Sequence, residues 1–180
     1  PDGPVTRKFV LAIGNDANRD WKTLVEAWDE TMPPLKIVTN LPVPIAAPNV
    51  EVIRGDWRKQ TLSDQEILKL YQQALCVVIP LRNTIQPAGQ SVCLQAMACG
   101  RPVVMSDIAG LWDRTHFVDG QHWWLPPPEA ALSLRKTVEN VRLRVGSVGI
   151  STGINAREIV KKEFSTTKMC SSIGNLLSSI

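Results

Sequence analysis

The feature that most constrains this chain is a repeated alternation of short apolar runs with helical segments. Lys8–Ile13 (KFVLAI) ends at Gly14, Leu35–Thr39 (LKIVT) runs into a loop, and Val50–Ile53 (VEVI) is closed by Arg54-Gly55. Leu75–Ile79 (LCVVI) ends at Pro80, and Pro102–Met105 (PVVM) repeats the pattern. The first suits a strand buried on both faces, the other four also read as strands, and His122–Leu125 (HWWL) predicts a short sixth. Between them, Asp20–Glu30 carries Leu24, Val25, Ala27 and Trp28 at helical spacing until Pro33-Pro34 stops it. Ser63 caps a second helix, with Glu66 completing a capping box and Ile67, Leu68, Leu70, Tyr71 and Ala74 forming the apolar face. Gln90–Cys99 reads as a third helix stopped by Gly100. Pro126-Pro127-Pro128 opens a fourth that runs to about Val145; a flexible joint follows at Ser147–Ser151, and helices close the chain over 151–180. This order predicts an α/β fold: a doubly wound parallel sheet of about six strands with helices on both faces.

The 180 residues form one domain and leave no room for a second. Pro1-Asp2-Gly3-Pro4 reads as a linker, so further chain is expected upstream. A net charge of +3 is too mild to argue for nucleic acid or a membrane surface. No apolar run approaches the ~20 residues of a membrane span, and no secretory leader is expected. Cys76, Cys93, Cys99 and Cys170 include no CxxC pair. They predict buried free thiols in a reducing cytosol, and no zinc site. His116 and His122 are expected to be structural, without carboxylate or cysteine neighbours at ligand spacing. Leu11–Asp16 (LAIGND) lacks G-x-G-x-x-G, which disfavours a nicotinamide or flavin enzyme.

In doubly wound sheets, ligands bind beyond the carboxyl ends of the strands. The loops to inspect are Gly14–Arg19, Arg54–Trp57, Pro80–Ser91 and Ser106–Trp112. At the third, Gly89 permits close backbone approach, and Gln90 and Ser91 offer free N–H groups at a helix N-terminus. Such an end carries roughly half a positive charge and takes a phosphate without a cationic side chain. Gln95, about a turn further on, is placed to meet a hydroxyl beyond that phosphate. The alternative from spacing alone is a well-capped helix with nothing bound. Of the six tryptophans, most are expected in the core or an inter-domain contact, with Trp57 and Trp112 on site loops.

LQAMACGRPVVMSDIAGLWD resembles the helix, strand and turn of retaining glycosyltransferases of the GT-B architecture, glycosyl transferases group 1 type. FVDGQHWWLPPPEAALSLRKTV, NRDWKTLVEAW and ALCVVIPLRN resemble three further segments of that family in the same order. The resemblance covers nearly the whole chain. It implies the Rossmann-like, C-terminal, donor-binding domain of a hexosyltransferase-like enzyme, with the N-terminal acceptor domain absent and the isolated domain inactive. The substrate implied is a nucleotide-diphosphate sugar, with no cofactor and no metal. The setting implied is polysaccharide biosynthesis in the cytoplasm, or at the inner membrane as a peripheral full-length protein.

Residue by residue, Arg19 falls on the family lysine that contacts the diphosphate, which makes it the catalytic candidate. Gly14, Lys22, Gly89, Gln90 and Ser91 complete the implied diphosphate site, with Lys22 expected one turn after Arg19 on the same face. Gln95 stands where the family has a ribose-binding glutamate, and Arg54 where its loop approaches the base. For Arg19, Lys22 and Arg54, a solvated surface role is the competing expectation. Pro87 replaces the glutamate that faces the donor sugar, a role its side chain cannot fill. The alternatives are a non-catalytic nucleotide- or phosphate-binding module of the same fold, and an unrelated doubly wound phosphate binder.

Overall fold

Phe9–Ile13 forms β1, and all five of its residues are buried. A computed structural model describes residues 8–44, 46–55, 62–111, 113–144 and 148–178. Trp57 and Trp112 lie outside them. After β1 come α1 (Trp21–Glu26), β2 (Leu35–Val38), β3 (Val50–Ile53), α2 (Asp64–Gln73), β4 (Ala74–Ile79), α3 (Gln90–Ala98) and β5 (Val103–Met105). Helices α4 (Ala131–Arg144), α5 (Val148–Glu163) and α6 (Thr166–Ser178) complete the order. The five strands are parallel, in the spatial order β3-β2-β1-β4-β5.

Successive side chains of a strand point to opposite faces, so β1 feeds two cores. Phe9, Leu11 and Ile13 join Tyr71, Val92 and Val160 under α2, α3 and α5. Val10 and Ala12 join Leu24, Leu35 and Val138 under α1 and α4. Helices therefore cover both faces, and the doubly wound, Rossmann-like sheet read from the sequence is the fold observed. Each fully buried aliphatic side chain in these layers contributes about 1.5–3 kcal/mol.

The second helix begins as read. Ser63 accepts from the Glu66 N–H, and Glu66 bonds back to the Ser63 N–H at 2.8 Å. Gly100, with φ 64°, stops α3. Four boundaries differ. Of the predicted sixth strand, only Trp123 and Trp124 bridge, Trp124 to Val104 on the outer edge of β5. Gly120, with φ 75°, turns the chain before it, and the prolines from Pro126 lack the N–H groups to extend a ladder. The fourth helix starts at Ala131, not Pro126, because Glu129 sits in the left-handed region at φ 56°. The first helix ends at Glu26, beyond which Trp28 donates its indole N–H to the Pro33 carbonyl at 2.8 Å. The joint at Ser147–Ser151 is helical from Val148 onward, so the closing helices begin before 151.

All four thiols are free, but only Cys76 and Cys93 are buried; Cys170 is exposed on α6. Burial pushes the Cys93 thiol up and that of Cys76 to about 12. Among the described residues, no helix is long and apolar enough to cross a membrane.

Candidate functional site

The strand order reverses between β1 and β4. The loops leaving their carboxyl ends therefore diverge to opposite faces and leave a crevice, the place where open α/β sheets bind ligands. Here the two loops are stitched together. Arg19 and Leu81 form an antiparallel bridge, the Asp20 N–H donates to the Pro80 carbonyl at 3.0 Å, and the Arg82 N–H to that of Asn18 at 2.9 Å. The loop after β5 holds the far side. The Leu81 N–H donates to Ser106 Oγ at 2.9 Å, and the Gly110 N–H to the Thr84 carbonyl at 2.9 Å. A Cβ on Gly110 would lie 2.5 Å from the Ile85 carbonyl carbon, so no side chain fits there.

Asn15 fixes the other rim, and the sequence reading passed over it. Its Nδ2 donates to the Gly55 carbonyl at 3.0 Å, and its Oδ1 accepts from Thr39 Oγ1 at 3.1 Å and the Asn40 N–H at 2.6 Å. One amide thus joins the ends of β1, β2 and β3. The available signal was an amide side chain directly after a strand-ending glycine.

Arg19 is the unusual residue. Asp20 caps α1 by accepting from the Thr23 N–H at 3.0 Å, so Arg19 precedes the helix and turns inward. It is 4% exposed. Its Nε lies 3.1 Å from Asp16 Oδ2, a charge contact without hydrogen-bond alignment, and its Nη1 is buried with no hydrogen-bond partner among the described residues. Burial lowers its pKa from the usual arginine value, with Asp16 acting the other way. The guanidinium fills the space where side chains would stand on Gly14 and Gly89: a Cβ on Gly14 would fall inside it, and one on Gly89 would lie 3.1 Å from Nη1.

Gly89 also caps α3 at φ 74°, a conformation that disfavours any residue with a Cβ. It brings no side-chain cap, so the first N–H groups of α3, at the exposed Gln90 and Ser91, are left for another partner. A buried cation and the positive end of a helix thus face the same spot. That arrangement is unfavourable empty and favourable around an anion.

A groove of about 620 Å³ runs between α2 and α3, lined by Ile13, Ile67, Tyr71, Ser91, Val92 and Gln95 among others, so that Ser91 at the start of α3 is shared with it. Gln95 Oε1 accepts from the Tyr71 hydroxyl at 3.0 Å. The structure thus gathers Gly14, Arg19, Gly89, Gln90 and Ser91 at one point, with Gln95 along the groove. Lys22 and Arg54 are engaged elsewhere. Lys22 does not share a face with Arg19, because α1 starts only at Trp21; its side chain is 77% exposed, 3.8 Å from Glu26. Arg54 is exposed and donates to the Leu41 carbonyl at 2.8 Å, closing the loop after β2. Pro87 is exposed on the loop before α3. His116 does have a carboxylate neighbour, Asp113 at 2.8 Å, and packs edge-on against Phe164; His122 accepts from the Val118 N–H at 2.9 Å. Both are tied into the fold. Among the described residues, no three His, Cys, Asp or Glu side chains cluster to hold a metal ion.

Residues 8–141 match the family model described as "Glycosyl transferases group 1". No curated protein matches the chain in sequence. Among solved structures, the sucrose-phosphate synthase of Thermosynechococcus elongatus superposes with a TM-score of 0.75 at 22% identity, over 98% of this chain and 46% of that one. Anabaena HepE, solved in complex with UDP-glucose, gives 0.70 at 17% identity, over 96% and 49%. The C-terminal domain of a glycosyl transferase group 1 family protein (LpcC) of Francisella tularensis gives 0.65 at 15% identity, over 90% and 89%. These likenesses are of fold, and the chain spans about half the length of the first two.

Proposed function

Because the chain belongs to the glycosyl transferases group 1 family, we propose that it is the donor-binding half of a GT-B glycosyltransferase. In this reading the whole enzyme transfers a sugar from a nucleotide-diphosphate donor to an acceptor, with retention at the anomeric carbon. The carrying observation is Arg19, buried between two glycines, with an unpaired Nη1 beside the uncapped start of α3. The diphosphate takes that spot, and the nucleoside lies along the groove toward Gln95. The complex of HepE with UDP-glucose supports a donor of this class.

As the bond from the anomeric carbon to the diphosphate breaks, negative charge grows on the departing phosphate oxygen. The Arg19 guanidinium and the Gln90 and Ser91 N–H groups stabilise that charge, so no metal is required in this scheme. The departing diphosphate then accepts the proton of the incoming acceptor hydroxyl, on the face it has just left. That order gives retention.

The acceptor site and opposite wall of the cleft belong to an N-terminal domain, so the isolated chain binds nucleotide and does not transfer. Pro87 favours a second reading, a nucleotide-binding module without turnover, because it puts no carboxylate toward the sugar. Calorimetric titration with UDP, GDP and ADP, paired with a transfer assay on the full-length protein, separates the two. Binding with transfer supports the enzyme, and binding without transfer supports the module. No binding of any nucleotide below millimolar concentration removes the donor site altogether.

A further inference from the structure

The Tyr71–Gln95 pair sets a direction for hydrogen bonding in the groove. Tyr71 is 2% exposed, on the face of α2 that packs against the sheet and α3. A buried phenol needs an acceptor for its proton. The structure supplies Gln95 Oε1, 3.0 Å away on α3. If the hydroxyl accepted from the amide instead, its own proton would be left buried without a partner. The pairing therefore fixes which end of the amide is used internally. Gln95 is itself exposed and lines the groove, and no hydrogen bond occupies its Nε2 among the described residues. Burial also pushes the Tyr71 phenol up, so it stays protonated and keeps donating throughout the neutral range.

We infer that Gln95 reads the nucleoside as a hydrogen-bond donor, through Nε2, and that Tyr71 is the positioning residue that imposes this polarity. This rests on the nucleotide-sugar reading of the groove. A carboxylate at this position would do the reverse, accepting from a ribose hydroxyl and demanding that the hydroxyl keep its proton. The Gln95 amide asks only for a lone pair. It also adds no negative charge near the diphosphate. The groove should therefore take nucleotides whose ribose oxygen at this point is an ether as well as those with a free hydroxyl, and discriminate against those lacking the oxygen.

The test is calorimetric titration of the chain with UDP and its 2′- and 3′-O-methyl and 2′- and 3′-deoxy forms. It is repeated for Gln95→Ala, Gln95→Glu and Tyr71→Phe, with GDP or ADP as the parent if one of those binds best. Gln95→Glu and Tyr71→Phe keep the side-chain volume beside the methyl group, so its steric effect cancels in those two comparisons. At the contacted position, Gln95→Ala should weaken the parent and its O-methyl form alike, by roughly 3- to 10-fold, and leave the deoxy form within about twofold. Gln95→Glu should bind the parent but not distinguish the O-methyl from the deoxy form. Tyr71→Phe keeps the ring in the core and frees the amide to turn. It should hold parent affinity within about threefold while the advantage of the O-methyl over the deoxy form shrinks at least twofold. If Gln95→Ala weakens only the parent, Gln95 accepts and the inference is overturned while the donor site stands. An unchanged O-methyl advantage in Tyr71→Phe removes the positioning role. Failure of every nucleotide to bind overturns both the inference and the reading beneath it.

Discussion

Replacing Arg19 with methionine should stabilise the free chain and weaken nucleotide binding together. Arg19 is 4% exposed, Nη1 has no partner among the described residues, and the carboxylate beside it, Asp16, is 40% exposed and solvated without it. A buried polar group left unpaired costs about 1–3 kcal/mol, and a well-packed apolar replacement of a buried charge is often neutral or stabilising. Methionine follows much of the arginine path with an apolar chain. A net gain of about 1–2 kcal/mol corresponds to a rise in Tm of roughly 2–8 °C for a domain of this size. The same substitution removes at least one charge-assisted hydrogen bond to phosphate, worth about 1.5–3 kcal/mol, so affinity for UDP should fall roughly 10- to 150-fold. Thermal unfolding without ligand gives the first quantity and calorimetry the second. A variant several degrees less stable, with unchanged nucleotide affinity, would refute the reasoning, because Arg19 would then be a structural arginine.

Gly89→Ala should destabilise the chain by at least about 1–2 kcal/mol in urea titrations, because φ 74° disfavours a Cβ that would also lie 2.7 Å from Ile79 Cγ2. Lys22→Ala should leave nucleotide affinity within about twofold in the same titrations, since its ammonium stands in solvent near Glu26. Asp29 is held well below the usual carboxylate range, first by hydrogen bonds from Arg135 and then from Thr31. Its folded pKa lies below the unfolded value of about 4, so its contribution is present above pH ~4 and is lost as pH falls below it. Urea midpoints at pH 5 and pH 2.5 should therefore differ less for Asp29→Asn than for the parent; equal differences would show that the Arg135 clamp does not matter.

The sequence made the sheet legible because parallel strands buried on both faces are written as unbroken apolar runs, as at β1, β4 and β5; β2 and the edge strand β3 are each interrupted by one charged residue, Lys36 and Glu51, and still read as strands between turn residues. The capping box at Ser63 and the stop at Gly100 are local chemistry and so were readable. The sixth strand was not, because His122–Leu125 has the composition of a strand but is cut off by a turn and three prolines whose effect depends on the neighbouring edge of β5. At the site, the glycines and Arg19 could be named from the chain. Their meeting could not, since it depends on the loops after β1 and β4 being bridged across the reversal in strand order. Of the two expectations for Lys22 the structure has the solvated one, because the capping of α1 by Asp20 leaves Arg19 outside the helix and helical spacing does not carry from it to Lys22. The clamp at Asn15 joins three strand ends far apart in sequence, and no local pattern announces it.

The measurement that bears most directly on the diphosphate site is a comparison of UDP with uridine, by calorimetry, on the parent chain and on Arg19→Met. If Arg19 and the start of α3 hold the diphosphate, UDP should bind at least about 10-fold more tightly than uridine, and most of that advantage should vanish in Arg19→Met. Equal binding of UDP and uridine, or a diphosphate advantage that survives Arg19→Met intact, would place the anion elsewhere and contradict the site.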